Sequence, residues 1–219
     1  MRANFPRLFQ LVSPALPVGS FAYSRGLETA VERGWIGDVA TVEDWISGLL
    51  THSVARLDGP LVSRLYKAWD DGGDVAHWIE LAKATRETNE LAGESSTMAR
   101  ALTRLLRDLS LASSHEAELA KEAFVAAFAL AAYRLRIDHD ACVEAFLWTW
   151  LESTVAAAVK LMPLGQTEGQ RLLLKLGEGL PELARQASET DDDEIGALVP
   201  GLALASALHE TQHTRLFRS

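Results

Sequence analysis

Apolar residues recur every three or four positions along almost the whole chain, which is the spacing of an amphipathic helix. The longest stripe lies in residues 139–162 and comprises Val143, Phe146, Leu147, Trp150, Leu151, Thr154, Ala158 and Leu161. Alanine and leucine dominate, and no run of β-branched residues alternates with polar ones as in a half-buried strand. The pattern predicts an all-α protein.

Capping residues and helix breakers divide this pattern into segments. The predicted N-caps are Thr41, Asp74, Ser113, Asp138 and Thr167, and three of them precede a suitable partner, namely Asp44, Glu116 and Gln170. We expect residues 75–109 to form one long segment with a kink near Gly93, and residues 113–134 to form another helix. The sequence thus predicts a single-domain bundle of roughly eight to ten helices.

The two ends of the chain depart from this pattern. Residues 5–21 are apolar but contain Pro6, Pro14, Pro17 and Gly19, which disfavour a regular helix. We therefore expect residues 1–22 to be an irregular, extended docking segment. Residues 209–219 are polar and end in Arg-Leu-Phe-Arg-Ser, and arginine and aromatic residues are frequent interface anchors. We expect a flexible tail that binds a partner, with a disordered end as the alternative.

Charge and cysteine content narrow the function classes. The 219 residues carry a formal net charge of −9, whereas a general nucleic-acid binder needs a basic surface. The single cysteine, Cys142, excludes an internal disulfide and a cysteine-based zinc site. Residues 1–12 lack the pattern of a signal peptide, and the longest apolar run, residues 123–133, is too short to span a bilayer. We expect a cytoplasmic protein that binds neither nucleic acid nor membrane.

Nucleotide and nucleophile chemistry also lack support. The chain has no Gly-x4-Gly-Lys-Ser/Thr phosphate loop and no Gly-x-Gly-x-x-Gly after a strand. Ser24 has no visible histidine partner. We therefore expect that the protein is not an enzyme and binds no cofactor tightly.

One motif supports an alternative. Residues 209–213 read His-Glu-Thr-Gln-His, which matches the H-E-x-x-H pattern of zinc hydrolases. On a helix His209 and His213 would share a face and Glu210 could act as the base. Only six residues follow His213, and they offer no third ligand.

A polar stretch in the middle of the chain leaves several interpretations open. Arg86, Glu87 and Glu90 could form a buried ion-pair network, a docking face or a solvated helix flank.

An ordered set of short motifs resembles the urease accessory protein F (UreF) family. The set comprises residues 16–28 (LPVGSFAYSRGLE), Gly34-Trp35, Trp45-Ile46, residues 86–98, residues 157–161, residues 163–166 (PLGQ), residues 169–171 (GQR), residues 209–212 (HETQ) and residues 215–219 (RLFRS). The resemblance covers nearly the whole chain. One departure is His213, where the family pattern leads us to expect an aromatic residue such as tyrosine.

This resemblance implies an all-α, typically dimeric chaperone. Such proteins join the accessory protein D (also called H) and the GTPase G on the urease apoprotein. The complex delivers nickel to the urease active site while G binds and hydrolyses GTP. The F component binds D through its carboxyl-terminal region and recruits G. An all-helical interaction protein unrelated to urease remains the other alternative.

The resemblance and the irregular ends suggest two groups of site residues. We expect the tail to contact D through His209, Glu210, Arg215, Leu216, Phe217 and Arg218. We expect a surface that faces G or passes nickel to comprise Tyr23, Ser24, Glu28 and Lys160. A structural ion pair between Glu28 and Lys160 is the alternative interpretation of the latter two.

Overall fold

The fold of residues 4–218, given by a computed structural model, is entirely helical. These residues form twelve α-helices and no strand: α1 Phe5–Leu11, α2 Leu27–Glu32, α3 Val39–Leu49, α4 Asp58–Asp71, α5 Val75–Ala84, α6 Asn89–Asp108, α7 Ser114–Ala120, α8 Phe124–Arg134, α9 His139–Leu161, α10 Gln166–Gly177, α11 Leu180–Glu189 and α12 Pro200–His209. Short 3₁₀ turns occupy Ser20–Ala22 and Asp192–Glu194, and a π-helical turn occupies Leu50–Val54. The all-α prediction is confirmed, and the number of helices exceeds the expected eight to ten.

Two long predicted helices are each divided, and α1 forms in a segment expected to be extended, which together account for the higher number. The break in residues 75–109 lies before Asn89, because the Thr88 hydroxyl accepts the Leu91 N–H and caps α6. Gly93 lies inside α6, so the chain leaves the helical conformation before Gly93 and not at it. The break in residues 113–134 separates α7 from α8, whose first N–H, that of Phe124, donates to the Ser95 hydroxyl of α6. A cap from a distant helix has no local sequence signal.

The predicted caps are confirmed in part. The Ser113–Glu116 capping box is present, and Asp74 caps α5. Helix α3 is capped by Asp38 instead of Thr41, which lies at the third helical position and completes a capping box.

The remaining two caps need correction. Asp138 occupies the N-cap position of α9 without a side-chain hydrogen bond. Helix α10 begins at Gln166, before the predicted cap at Thr167.

The core is built around α8 and α9. Helix α8 packs on α4 and α6, and the eight residues 125–132 are all buried. Its alanines allow close helix approach, while Phe128 and Leu130 are fully buried and each contribute roughly 2–3 kcal/mol of hydrophobic stabilisation. Among the described helices, α9 alone has the length and apolar composition of a membrane span. Because 61% of its most apolar window is buried within the fold, α9 is a core helix here.

The amino-terminal segment corrects one prediction. Residues 5–11, expected to be extended, form α1, because Pro6 lies in the first turn, where proline is tolerated. Leu11 is buried in the core, and the Arg7 guanidinium donates to the Leu135 carbonyl oxygen at 3.0 Å. Residues 1–3 of the expected docking segment, and Ser219 of the expected tail, lie outside the described residues.

The carboxyl-terminal tail corrects another prediction. The expected flexible segment follows α12 and lies against the body of the protein, where the Arg218 N–H donates to the Ala22 carbonyl oxygen at 2.8 Å. Helix α12 itself packs on α2 at Gly26, whose φ of +78° favours glycine. The tail therefore returns to the region where the N-terminal irregular segment ends.

Candidate functional site

A buried carboxylate at the start of α2 holds the tail. Glu28 is only 7% exposed, and its two oxygens accept the N–H groups of Leu216 at 2.6 Å and Phe217 at 2.9 Å. A single side chain thus satisfies two consecutive main-chain donors of an irregular segment. Hydrogen bonds to an ionised acceptor are roughly twice as strong as neutral ones, so this contact orders the tail.

The same carboxylate faces a fully buried histidine. The Nε2 atom of His209, the last residue of α12, lies 3.3 Å from Glu28 Oε2. Its Nδ1 atom lies 2.9 and 3.0 Å from the two oxygens of Glu90, in the first turn of α6. Donation from both ring nitrogens requires the protonated imidazole, because the neutral ring carries one N–H. We call Glu28, Glu90 and His209 the tail-binding cluster.

This arrangement bears on the H-E-x-x-H alternative. A zinc ligand needs a free ring nitrogen, and both nitrogens of His209 face carboxylate oxygens. His213 is exposed and lies beyond the end of α12. Within residues 4–218, no group of three or more histidine, cysteine, aspartate or glutamate side chains has a geometry suited to a metal ion.

Arg215 adds a second cation to the tail-binding cluster. Its Nη1 atom lies 3.1 Å from Glu90 Oε1, while Nε donates to the Gln212 carbonyl oxygen at 2.8 Å. Nη2 donates to the carbonyl oxygen of Glu210 at 2.5 Å. Two carboxylates therefore face one guanidinium and one imidazole, so their charges balance when His209 is protonated.

Phe217 points into the body of the protein, whereas the residues on either side of it face the solvent. Phe217 is 6% exposed, and the Lys160 Nζ atom lies 5.8 Å from the centre of its ring, within the range of a cation–π contact. The neighbouring Leu216 is 65% exposed, and Glu210 and Arg218 are also exposed. The tail thus presents a fixed outward row that includes Leu216 and Arg218.

Two further sequence-predicted residues, Tyr23 and Ser24, follow Ala22, whose carbonyl oxygen binds the tail. Tyr23 and Ser24 are buried, and the Ser24 hydroxyl accepts the Glu28 N–H at 3.3 Å. The two groups of residues that the sequence separated are therefore brought together into one region around Glu28. The suggested Glu28–Lys160 ion pair is not among the contacts of the described residues: Glu28 binds the tail and Lys160 lies over Phe217.

Sequence reasoning left the role of Glu90 open and missed Gln212, whose amide oxygen accepts the Thr29 hydroxyl at 3.2 Å. Of the polar stretch around Glu90, Arg86 pairs with Asp58, Glu90 joins the tail-binding cluster and Glu87 is exposed. The stretch therefore divides into two buried networks and one solvated side chain. No local signal could assign these partners, because each is distant along the chain.

A second polar network supports the site from behind. Arg25, with a φ of +52°, directs its guanidinium to Glu94 at 2.8 Å and to the Ser153 hydroxyl at 2.7 Å. It lines a cavity of about 100 Å³ together with the Arg86–Asp58 pair. Burial lowers the pKa of the Arg86 guanidinium, but the adjacent Asp58 outweighs it, so the net pKa is raised. The contacts of Arg25, which lies just before α2, join the start of α2 to α6 and α9.

Comparison with known proteins places the chain in a family. Residues 36–177 match the sequence profile of the UreF family. The chain is 48% identical to the urease accessory protein UreF of Alkalilimnicola ehrlichii, over 97% of this chain and 95% of that protein. It is 44% identical to the UreF of Teredinibacter turnerae over the full length of both, and 48% identical to that of an Azoarcus species over 97% and 94%. The chain therefore belongs to the UreF family of urease accessory proteins.

Proposed function

We propose that this protein bridges the accessory protein D (or H) and the accessory GTPase G on the urease apoprotein. In this role it supports GTP-dependent assembly of the nickel centre. Nickel is cargo of the complex, GTP is bound by G, and this chain holds no cofactor tightly and catalyses no reaction. Membership of the family supports the role in urease maturation. The observation that carries the proposal is the tail, which is held by Glu28 with Leu216 pointing outward.

The geometry of the tail suits partner binding. A segment whose main chain is already ordered loses less conformational entropy on association than a free peptide. Its outward row combines an apolar residue with an arginine, and arginine is enriched among interface hot spots. Within the proposal, Glu210, Leu216 and Arg218 contact D, whereas His209, Arg215 and Phe217 hold the tail in its binding conformation.

The surface proposed to face G contains fewer exposed residues than the sequence suggested. Tyr23, Ser24 and Glu28 are buried, so they act by positioning the tail. Lys160 is exposed at the edge of the same region and is the member that can contact G directly or lie along the path of the nickel ion.

The first experiment tests the contact with D. Leu216→Asp places a charge on the outward row without removing a buried group, because the side chain is 65% exposed. We expect co-purification with D to fall at least tenfold, equivalent to about 1.4 kcal/mol. Leu174→Asp is the matched control, since Leu174 of α10 is 72% exposed. Equal retention of D by both variants would contradict the assignment of the tail.

The second experiment tests bridging. D, G and this protein are mixed with GTP and Mg²⁺ and separated by size, and light scattering gives the mass of each species. We expect G to elute with D only when this protein is present, and the isolated protein to have about twice the chain mass of 23.9 kDa, as a homodimer. Elution of D with G in its absence would refute the bridge. Nickel bound to urease, measured by mass spectrometry, gives the functional readout.

A further inference from the structure

A basic groove lies between α6 and α7, away from the tail. It has a volume of about 170 Å³ and is lined by Arg100, Thr103, Arg104, Arg107, Ala117, Glu118 and Lys121. We call it the arginine groove. Its charged lining sums to +3, whereas the whole chain carries −9. The groove therefore has the opposite charge to the protein as a whole.

The three arginines of the groove have no acidic partner in the described part of the chain. Residues 4–218 contain no carboxylate within ion-pair distance of Arg100, Arg104 or Arg107, whereas Lys121 pairs with Glu118. Two other exposed arginines, Arg171 and Arg185, each pair with a glutamate of their own helix. Three unpaired guanidinium groups on one face leave a strongly positive local potential.

Stabilisation of the end of α6 accounts for only part of this row of arginines. Cations near the last turn interact favourably with the helix dipole, which accounts for Arg107. Arg100 lies two turns before the end of α6 at Asp108, where that effect has decayed. The helix dipole therefore does not account for Arg100 and Arg104.

The spacing of the row matches an extended acidic chain. At 1.5 Å rise per residue, the Cα atoms of Arg100 and Arg104 lie about 6 Å apart along the axis, and the row spans about 10 Å. In an extended chain, alternate residues lie on one side about 6.7 Å apart. Carboxylates on alternate residues can therefore each meet one guanidinium, with which they form paired hydrogen bonds.

We propose that the arginine groove is a docking site for an extended acidic segment of a partner protein. The groove does not involve the tail-binding cluster, and the proposal does not depend on the function proposed above. The partner supplies alternating glutamate or aspartate side chains, and Glu118 limits the affinity by opposing them.

The test uses a fluorescein-labelled nine-residue peptide of alternating glutamate and serine, with a glutamine–serine peptide as the control probe. Fluorescence anisotropy with the full chain should show binding of the glutamate peptide alone. Binding should disappear in 1 M salt, where the screening length is about 3 Å. Arg100→Gln with Arg104→Gln should weaken binding about tenfold. Arg33→Gln with Arg56→Gln, which removes the same charge from exposed positions, should change it less than twofold.

A variant that is expected to strengthen peptide binding distinguishes loss of the site from misfolding. Glu118→Gln removes the acid of the groove and should strengthen peptide binding roughly threefold. Absence of binding, or equal weakening by the control pair, would overturn the proposal. Displacement by an equal concentration of inorganic phosphate would indicate a single-anion site and would also overturn it. If the Arg100/Arg104 variant differed from the wild type in oligomer mass, the groove would be an interface with a second copy of this chain. That outcome would also overturn the proposal.

Discussion

At the scale of single residues, the tail depends on Glu28. Its carboxylate accepts two successive main-chain N–H groups and faces the ring of His209, which lies between Glu28 and Glu90. Glu28 and His209 are buried, so loss of the Glu28 carboxylate leaves two main-chain N–H groups and the Nε2 atom of His209 without this acceptor. An unsatisfied buried donor costs about 1–3 kcal/mol, and more when the group is charged.

Glu28→Gln tests this dependence. The amide retains one acceptor oxygen but turns an NH₂ group toward a main-chain N–H, and the charge opposite His209 is lost. We expect the free energy of unfolding to fall by about 2 kcal/mol, and the amides of Leu216 and Phe217 to exchange with solvent faster. Urea unfolding and hydrogen exchange measure the two effects. Glu32→Gln, an exposed change in the same helix, should leave both unchanged.

At the scale of helices, interactions at its first turn stabilise the short helix α7. The Ser113–Glu116 capping box begins it, and the Glu116 carboxylate also pairs with Arg134 at the end of α8. Partial burial raises the pKa of Glu116, but the hydrogen bonds from Ser113 and Arg134 outweigh it, so the pKa lies below its usual value of 4.5. Ionised Glu116 therefore stabilises the fold.

The sign of this shift predicts a pH dependence. Because the folded-state pKa is depressed, the stabilisation is present above about pH 4.5 and is lost as the pH falls through the folded-state value. Glu116→Gln should cost about 1 kcal/mol at pH 7, and the difference from the wild type should narrow on acidification. Thermal unfolding at pH 7, 5 and 3 measures it. A difference that stays constant with pH would refute the role of the carboxylate.

At the scale of the whole molecule, the twelve helices of residues 4–218 enclose one core, to which Leu11 and Phe217 both belong. Cys142 of α9 is fully buried, and burial raises the pKa of its thiol above the ordinary value of 9.0. A thiol that is both inaccessible and protonated reacts slowly with alkylating reagents.

Cys142 therefore reports global unfolding. At pH 8 and without denaturant, we expect iodoacetamide to modify the native protein at least 100-fold more slowly than the urea-unfolded chain. Since the folded thiol is the weaker acid, unfolding becomes easier as the pH rises above 9.0. Mass spectrometry follows the modification. Rapid labelling of the native chain would mean that the region around α9 opens locally.

Particular residues show how far sequence reasoning reached. The stripe from Val143 to Leu161 predicted α9, and the Ser113–Glu116 pair predicted the start of α7, because periodicity and capping are local. The start of α3 was placed at Thr41 instead of Asp38, since both residues belong to one capping box. The start of α8 was missed because its first N–H is bound by Ser95 of another helix.

By itself, the sequence determined the helical class and the membership of a family, since these depend on composition, period and ordered motifs. Only the tertiary structure decided that Glu28 and Glu90 meet His209, and that Phe217 turns inward while Leu216 faces the solvent. These contacts join residues more than 100 positions apart. No local pattern encodes such a meeting, because it depends on how the intervening helices pack.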